Sequence, residues 1–210
     1  MFEDNFLRLV KIFKDEAKEW KMIGNGLVIV PKNAHFDVLA ISIAPISFSP
    51  DFKWVFTAPV TIGYSGDVAK AYARLKSMEC SVEVRGLLRR EYRFVENPLR
   101  RLLFGGIPFD GRLAAALNED EEVRALLGKA SPDELHVACY YELLPGRSQV
   151  ESMVEYFRNP TKLGWLVTAS KGSYIEPVLP AAFKNMYRLL NTLALRLKVL
   201  SARFLKEPFN

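Results

Sequence analysis

Between residues 26 and 64 three stretches follow one another closely: GLVIVP (26–31), DVLAISIAP (37–45) and DFKWVFTAPVTIGY (51–64). Each is rich in β-branched and aromatic residues, and the short spacer between the first two suits a hairpin connection. Phe52, Trp54 and Phe56 alternate, so they share one strand face, and that face reads as core. Pro59 removes a ladder donor and marks an edge or a bend. Successive strands of this kind commit the chain to a sheet. The segments around them decide what covers it.

Most of those segments have helical period. Phe2, Phe6, Leu9, Val10, Phe13, Ala17 and Trp20 form one stripe. The stripe predicts a helix over residues 3–22, stopped by the left-handed signal Gly24-Asn25-Gly26. Residues 67–78 predict a second helix, capped by Ser65 or Asp67. Asn118, with Glu121 three residues on, caps a third that ends at Gly128. Capping boxes at Ser131…Glu134 and Ser148…Glu151 predict helices over 131–144 and 148–157, although HVACYY inside the first has strand-like residues. Asn97-Pro98 opens a short helix that Gly105-Gly106 stop. A long helix runs from about Ala181 to Lys206, with Phe183, Met186, Leu190, Leu193, Leu197, Leu200 and Phe204 on its apolar side.

Two further β-type segments complete the pattern. Residues 80–97 read as a strand with Val82, Val84, Leu88, Tyr92 and Phe94 on one parity and Gly86 at a bulge. LGWLVTAS and SYIEPV read as a hairpin turning at Lys171-Gly172. The expected fold is α+β: an antiparallel or mixed sheet covered by helices, with long N- and C-terminal amphipathic helices. The sequence has no repeat or linker, so residues 1–210 read as one domain. A boundary near 107–118 is the alternative.

Composition bounds the chemistry. Of 210 residues half are hydrophobic, enough for a core without disulfides or metals, so Cys80 and Cys139 read as buried thiols in a reducing compartment. The opening MFEDNF lacks a basic-then-apolar leader, and no apolar run approaches the roughly 18 residues of a membrane span. A cytoplasmic protein is expected. Gln149 is the only glutamine while Lys, Arg and Glu are plentiful, a bias that suits a hot environment. His35 and His136 are the only imidazoles. His136 and Cys139 would be neighbours on a helix and would face opposite ways on a strand. Gly63-Tyr64-Ser65-Gly66 lacks the glycine two residues after the serine that a nucleophile elbow needs. No zinc, Walker or Rossmann spacing occurs. No catalytic residue, metal or cofactor is therefore expected.

Charge is uneven. Residues 85–112 carry net +4, residues 177–206 carry six bases and no acid up to Lys206, and residues 118–134 carry net −4. Arg90-Glu91-Tyr92-Arg93-Phe94-Val95 resembles in part the central aromatic strand of the RNA recognition motif. The likeness covers six residues. Glu91 and Arg93 stand where that family has small residues, and Asn97 stands in place of its last aromatic. The expected function is a non-catalytic binding or assembly domain with nucleic acid as ligand. Arg89, Arg90, Arg93, Arg100 and Arg101 would contact phosphates, assisted by Lys184 and Arg188. One alternative is self-association of acidic 118–134 with a basic face; the other is an enzyme using carboxylates.

Overall fold

A computed structural model of the chain describes residues 2–24, 26–45, 52–86, 90–97, 108–140, 163–173 and 180–207. Its described elements run α1 (Phe2–Phe13), β1 (Ala17–Ile23), β2 (Gly26–Pro31), β3 (Leu39–Pro45), β4 (Phe52–Thr61), α2 (Val68–Ser77), β5 (Cys80–Arg85) and β6 (Glu91–Glu96). There follow α3 (Arg112–Glu119), α4 (Glu121–Ala130), β7 (Glu134–Tyr140), β8 (Gly164–Ser173) and α5 (Pro180–Phe204). The eight strands form one sheet in the order β1-β2-β3-β4-β8-β7-β5-β6, and every neighbouring pair is antiparallel. Strands β7 and β8, from the second half of the chain, lie in the middle of the sheet.

Strand alternation separates two faces. Leu39 and Ile41 on β3, Trp54, Phe56, Ala58 and Val60 on β4, Trp165, Val167 and Ala169 on β8, and Leu135, Val137 and Cys139 on β7 are buried on one side. The helices pack there. Phe183 of α5 sits 5.2 Å from both the Trp54 and Phe56 rings, and Trp165 Nε1 donates to Ser201 Oγ at 2.7 Å. Phe13 of α1 meets Tyr187 of α5 at 5.5 Å. The last turn of α5 is held by Arg112, which pairs with Asp110 and Glu207 and lies 5.1 Å over the Phe204 ring. Burying a large side chain such as Phe183 contributes about 1.5–3 kcal/mol relative to leaving it exposed.

The expectation of a sheet covered by long N- and C-terminal amphipathic helices is overturned. The chain builds a wholly antiparallel eight-stranded sheet with five described helices, of which the N-terminal one is short and the C-terminal one is a single long helix. The stripe predicted to continue helically to residue 22 stops at Phe13. Residues 17–23 form β1 instead, because Trp20 and Met22 also alternate at a period of two with Glu19 and Lys21. Gly24, at φ +54°, belongs to the two-residue connection into β2 and does not stop a helix.

Four more readings change. Residues 134–140 are a strand, and Ser131 is the left-handed C-cap of α4 rather than the N-cap of a helix. Residues 80–85 and 91–96 are two strands, β5 and β6, paired antiparallel, and Gly86 has φ +82°. The hairpin expected at Lys171-Gly172 is continuous strand, with Gly172 opposite Lys53. There the glycine admits a carboxylate: its N–H donates to Asp133 Oδ2, and an added Cβ would lie 3.0 Å from that oxygen. Pro59 lies in an interior strand, where its carbonyl accepts from Asp37 N at 2.9 Å. The helices predicted after Asn97 and over 148–157 lie outside the described residues.

Candidate functional site

Of the basic region 85–112, Arg85 and Arg93 lie on the paired strands β5 and β6, and Arg90 lies just before β6. Cross-strand pairing sets Val82 opposite Phe94 and Val84 opposite Tyr92, so these four point toward the helices. Phe94 is buried, and Tyr92 exchanges a hydrogen bond with Ser131 Oγ at 2.8 Å. The aromatics that resembled a base-stacking platform are therefore used in packing. Arg93 is exposed on the opposite face, directly across from Glu83, and Glu83 also pairs with Arg85 at 2.9 Å. Arg90 donates to Asp133 at 2.8 Å, a bond that holds its guanidinium charged. Arg89, Arg100 and Arg101 lie outside the described residues.

Lys184 and Arg188 are exposed on α5, in the helix layer. Arg93 points away from that layer, so the structure does not bring it onto one surface with the two α5 residues. What accompanies Lys184 and Arg188 is the rest of α5. Its 25 residues contain no acid. At about 100° per residue, Lys184, Arg188 and Lys198 fall within an arc of about 80°, with Arg203 about 60° further round. Lys206 follows just past the helix end. Among the described residues none of these five has an ion-pair partner, and four of them are exposed, with Lys198 half-buried.

The acidic region engages this helix at a different point. Asp120 is the N-cap of α4, accepting from Val123 N at 3.0 Å, and its other oxygen takes Arg196 Nε. Arg196 also reaches Glu122 at 3.0 Å, and Thr192 is 3.5 Å from the same carboxylate. Burial pushes the Asp120 carboxyl up, but the Val123 N–H and the Arg196 guanidinium outweigh it and hold the group below its usual 3.8. One base of α5 is thus neutralised within the chain and the others are left. Lys198, Arg203 and Lys206 belong to the basic region visible in the sequence but were not among the residues expected to bind. The signal that marks them, a long helix with no acid, was present there.

The sheet face away from the helices holds a second polar group. Thr57, Thr168, His136 and Ser81 stand in one cross-strand row over β4, β8, β7 and β5. Next to it Glu134 takes Lys53 Nζ at 2.7 Å and Ser170 Oγ at 2.8 Å, which keep it ionised below the ordinary carboxylate range. Burial favours the neutral His136 imidazole, whose Nδ1 is buried and has no hydrogen-bond partner among the described residues. Cys139 points to the other face, so His136 and Cys139 form no thiolate pair. Burial raises both cysteine thiols, which leaves them unreactive near neutral pH. The buried ion pair Lys76–Glu79, at 2.7 Å, anchors α2, and Glu79 also accepts from Cys139 N at 2.8 Å. These groups hold the fold together and provide no nucleophile with an adjacent base.

The chain matches no protein-family model, no curated protein and no solved structure. The functional reading therefore rests on this geometry. Among the described residues no helix is long and apolar enough to cross a membrane, and no three His, Cys, Asp or Glu side chains gather as a metal would require.

Proposed function

We propose that this protein is a non-catalytic binding domain that holds nucleic acid by its phosphates along the outward face of α5. The observation that carries the reading is the set Lys184, Arg188, Lys198, Arg203 and Lys206: bases on an acid-free helix, unpaired among the described residues. A helix of 25 residues is about 37 Å long, which spans several phosphates of a nucleic acid strand. A membrane surface fits less well. Phe183, Met186, Leu190, Leu193, Leu197 and Phe204 are all buried against the rest of the fold, which leaves no broad apolar face to insert into lipid. In this reading Arg90 and Arg93 play a minor part, because one is tied to Asp133 and the other faces away from α5.

Binding of this kind is salt-dependent. The logarithm of affinity for duplex DNA should fall against the logarithm of salt concentration by about 0.9 per phosphate contacted. The double variant Lys184→Ala/Arg188→Ala should bind more weakly and make that slope shallower by about two units. Fluorescence anisotropy with labelled duplex and single-stranded oligonucleotides reads both quantities. Absence of binding at low salt, or a slope unchanged by the double variant, contradicts the reading.

A further inference from the structure

The sheet ends in two strands that are treated differently. At β6 the outer edge is closed: Asn118 of α3 accepts from Phe94 N at 2.7 Å and donates to Phe94 O at 3.0 Å, so one amide takes both backbone groups of an edge residue. At β1 no described element covers the outer edge. Residues 18–22 are exposed in succession, with Trp20 at 48% and Met22 at 38%. An open strand edge with exposed apolar side chains is a template for another strand.

The hydrogen-bond phase of β1 follows from its hairpin. Only residues 24 and 25 separate Ile23 from Gly26, so that pair closes the turn and exchanges hydrogen bonds across it. Antiparallel pairs alternate, so Lys21↔Val28 is also hydrogen-bonded, whereas Met22↔Leu27 and Trp20↔Ile29 are not. The backbone groups of Trp20 and Met22 therefore point outward, away from β2. Glu19 and Lys21 flank Trp20 symmetrically and point to the sheet face opposite the described helices. The register irregularity between Ala17 and Glu19 ends the regular strand on the other side.

We propose that β1 pairs with the β1 of a second copy of this chain, antiparallel about a two-fold axis at Trp20, joining two sheets into one. Charge complementarity selects this partner and this register. The two-fold sets Trp20 opposite its own copy as a hydrogen-bonded pair. It sets Glu19 opposite Lys21 of the second copy, twice, as the closer, non-hydrogen-bonded pairs in which cross-strand charges interact most strongly. The two Trp20 side chains meet on the helix side, which removes the largest exposed aromatic from water. A two-fold perpendicular to the sheet also leaves both helix layers, and both α5 faces, on the same side.

Sedimentation velocity over a concentration series tests the pairing. Wild-type protein should form a dimer whose population rises with concentration. Trp20 is the one exposed tryptophan of three, since Trp54 and Trp165 are buried, so its emission should shift to shorter wavelength as the dimer forms. Glu19→Lys and Lys21→Glu should each weaken the dimer about tenfold or more, because either change sets like charges opposite each other twice. The double swap Glu19→Lys/Lys21→Glu should restore it. All three changes lie at exposed positions, and circular dichroism verifies that each variant is folded. A wild-type protein that stays monomeric at every concentration overturns the proposal. So does a dimer insensitive to the single changes, or single changes that the double swap fails to rescue.

Discussion

Asn118 illustrates how a residue's role depends on what the fold sets beside it. Its sequence context, three residues before Glu121, is that of a helix cap. In the structure Asp120 caps α4, and Asn118 is the last-turn residue of α3 that seals the edge of β6. Both residue types cap helices well, and nothing local ranks one above the other. The deciding fact is a strand more than twenty residues earlier. Asn118→Ala would leave the Phe94 N–H and C=O unpaired at a partly buried site and should cost about 1–3 kcal/mol of stability. Urea denaturation of the purified variant measures the loss, and an unchanged midpoint would mean that the amide contributes nothing to closing that edge. Lys76 and Glu79 carry no distinguishing sequence signal for a similar reason, since a Lys and a Glu three apart have the pattern of an ordinary solvated helix end. Only the packing of α2 against β7 buries them.

At the scale of elements, the errors share one origin. Residues 17–23, 134–140 and 164–173 are strands whose ends carry signals that also serve helices or turns. A left-handed glycine stops a helix or makes a tight hairpin, and Ser-Pro-Asp-Glu after a helix opens the next one or closes the last. Elements with clear signals were legible: α2, for which the structure picks Asp67 over Ser65 as the cap, and the long α5. The strand pattern 26–61 was legible too, because alternation of large aromatics with smaller residues matches only one period. Pairing between elements was not, and α4 with α5 shows why it matters. The Val123 N–H and, after it, Arg196 hold the Asp120 carboxyl ionised below its usual range against the opposing effect of burial, so these contacts stabilise the fold above that range and the contribution disappears as pH falls through the lowered pKa. Arg196→Ala should therefore move the acid-unfolding transition to higher pH, as followed by far-ultraviolet circular dichroism. A transition at the wild-type pH would show that the bridge is not coupled to folding.

For the whole molecule, the sequence exposed an uneven charge but not its geometry. The bases of residues 85–112 are dense along the chain. Among its described arginines, Arg93 points away from the helices and Arg90 is bound to Asp133, so these two do not join the α5 bases on one surface. The bases of α5 are sparser, yet a helix gathers residues three, four, ten and fourteen apart onto one side. The acid-free composition of 177–206 was the legible half of that site. The missing half was that Arg196, alone among its bases, meets the acidic region. The pairing of two β1 edges would set a second α5 on the same side of a continuous sheet and lengthen the basic surface. Amide hydrogen exchange with and without a duplex oligonucleotide at low salt tests the central assignment most directly. Protection is expected along the outward face of α5, from Lys184 to Lys206, with little change in β5 and β6. Protection confined to β5 and β6, or none anywhere, would contradict the assignment of α5 as the nucleic-acid-binding face.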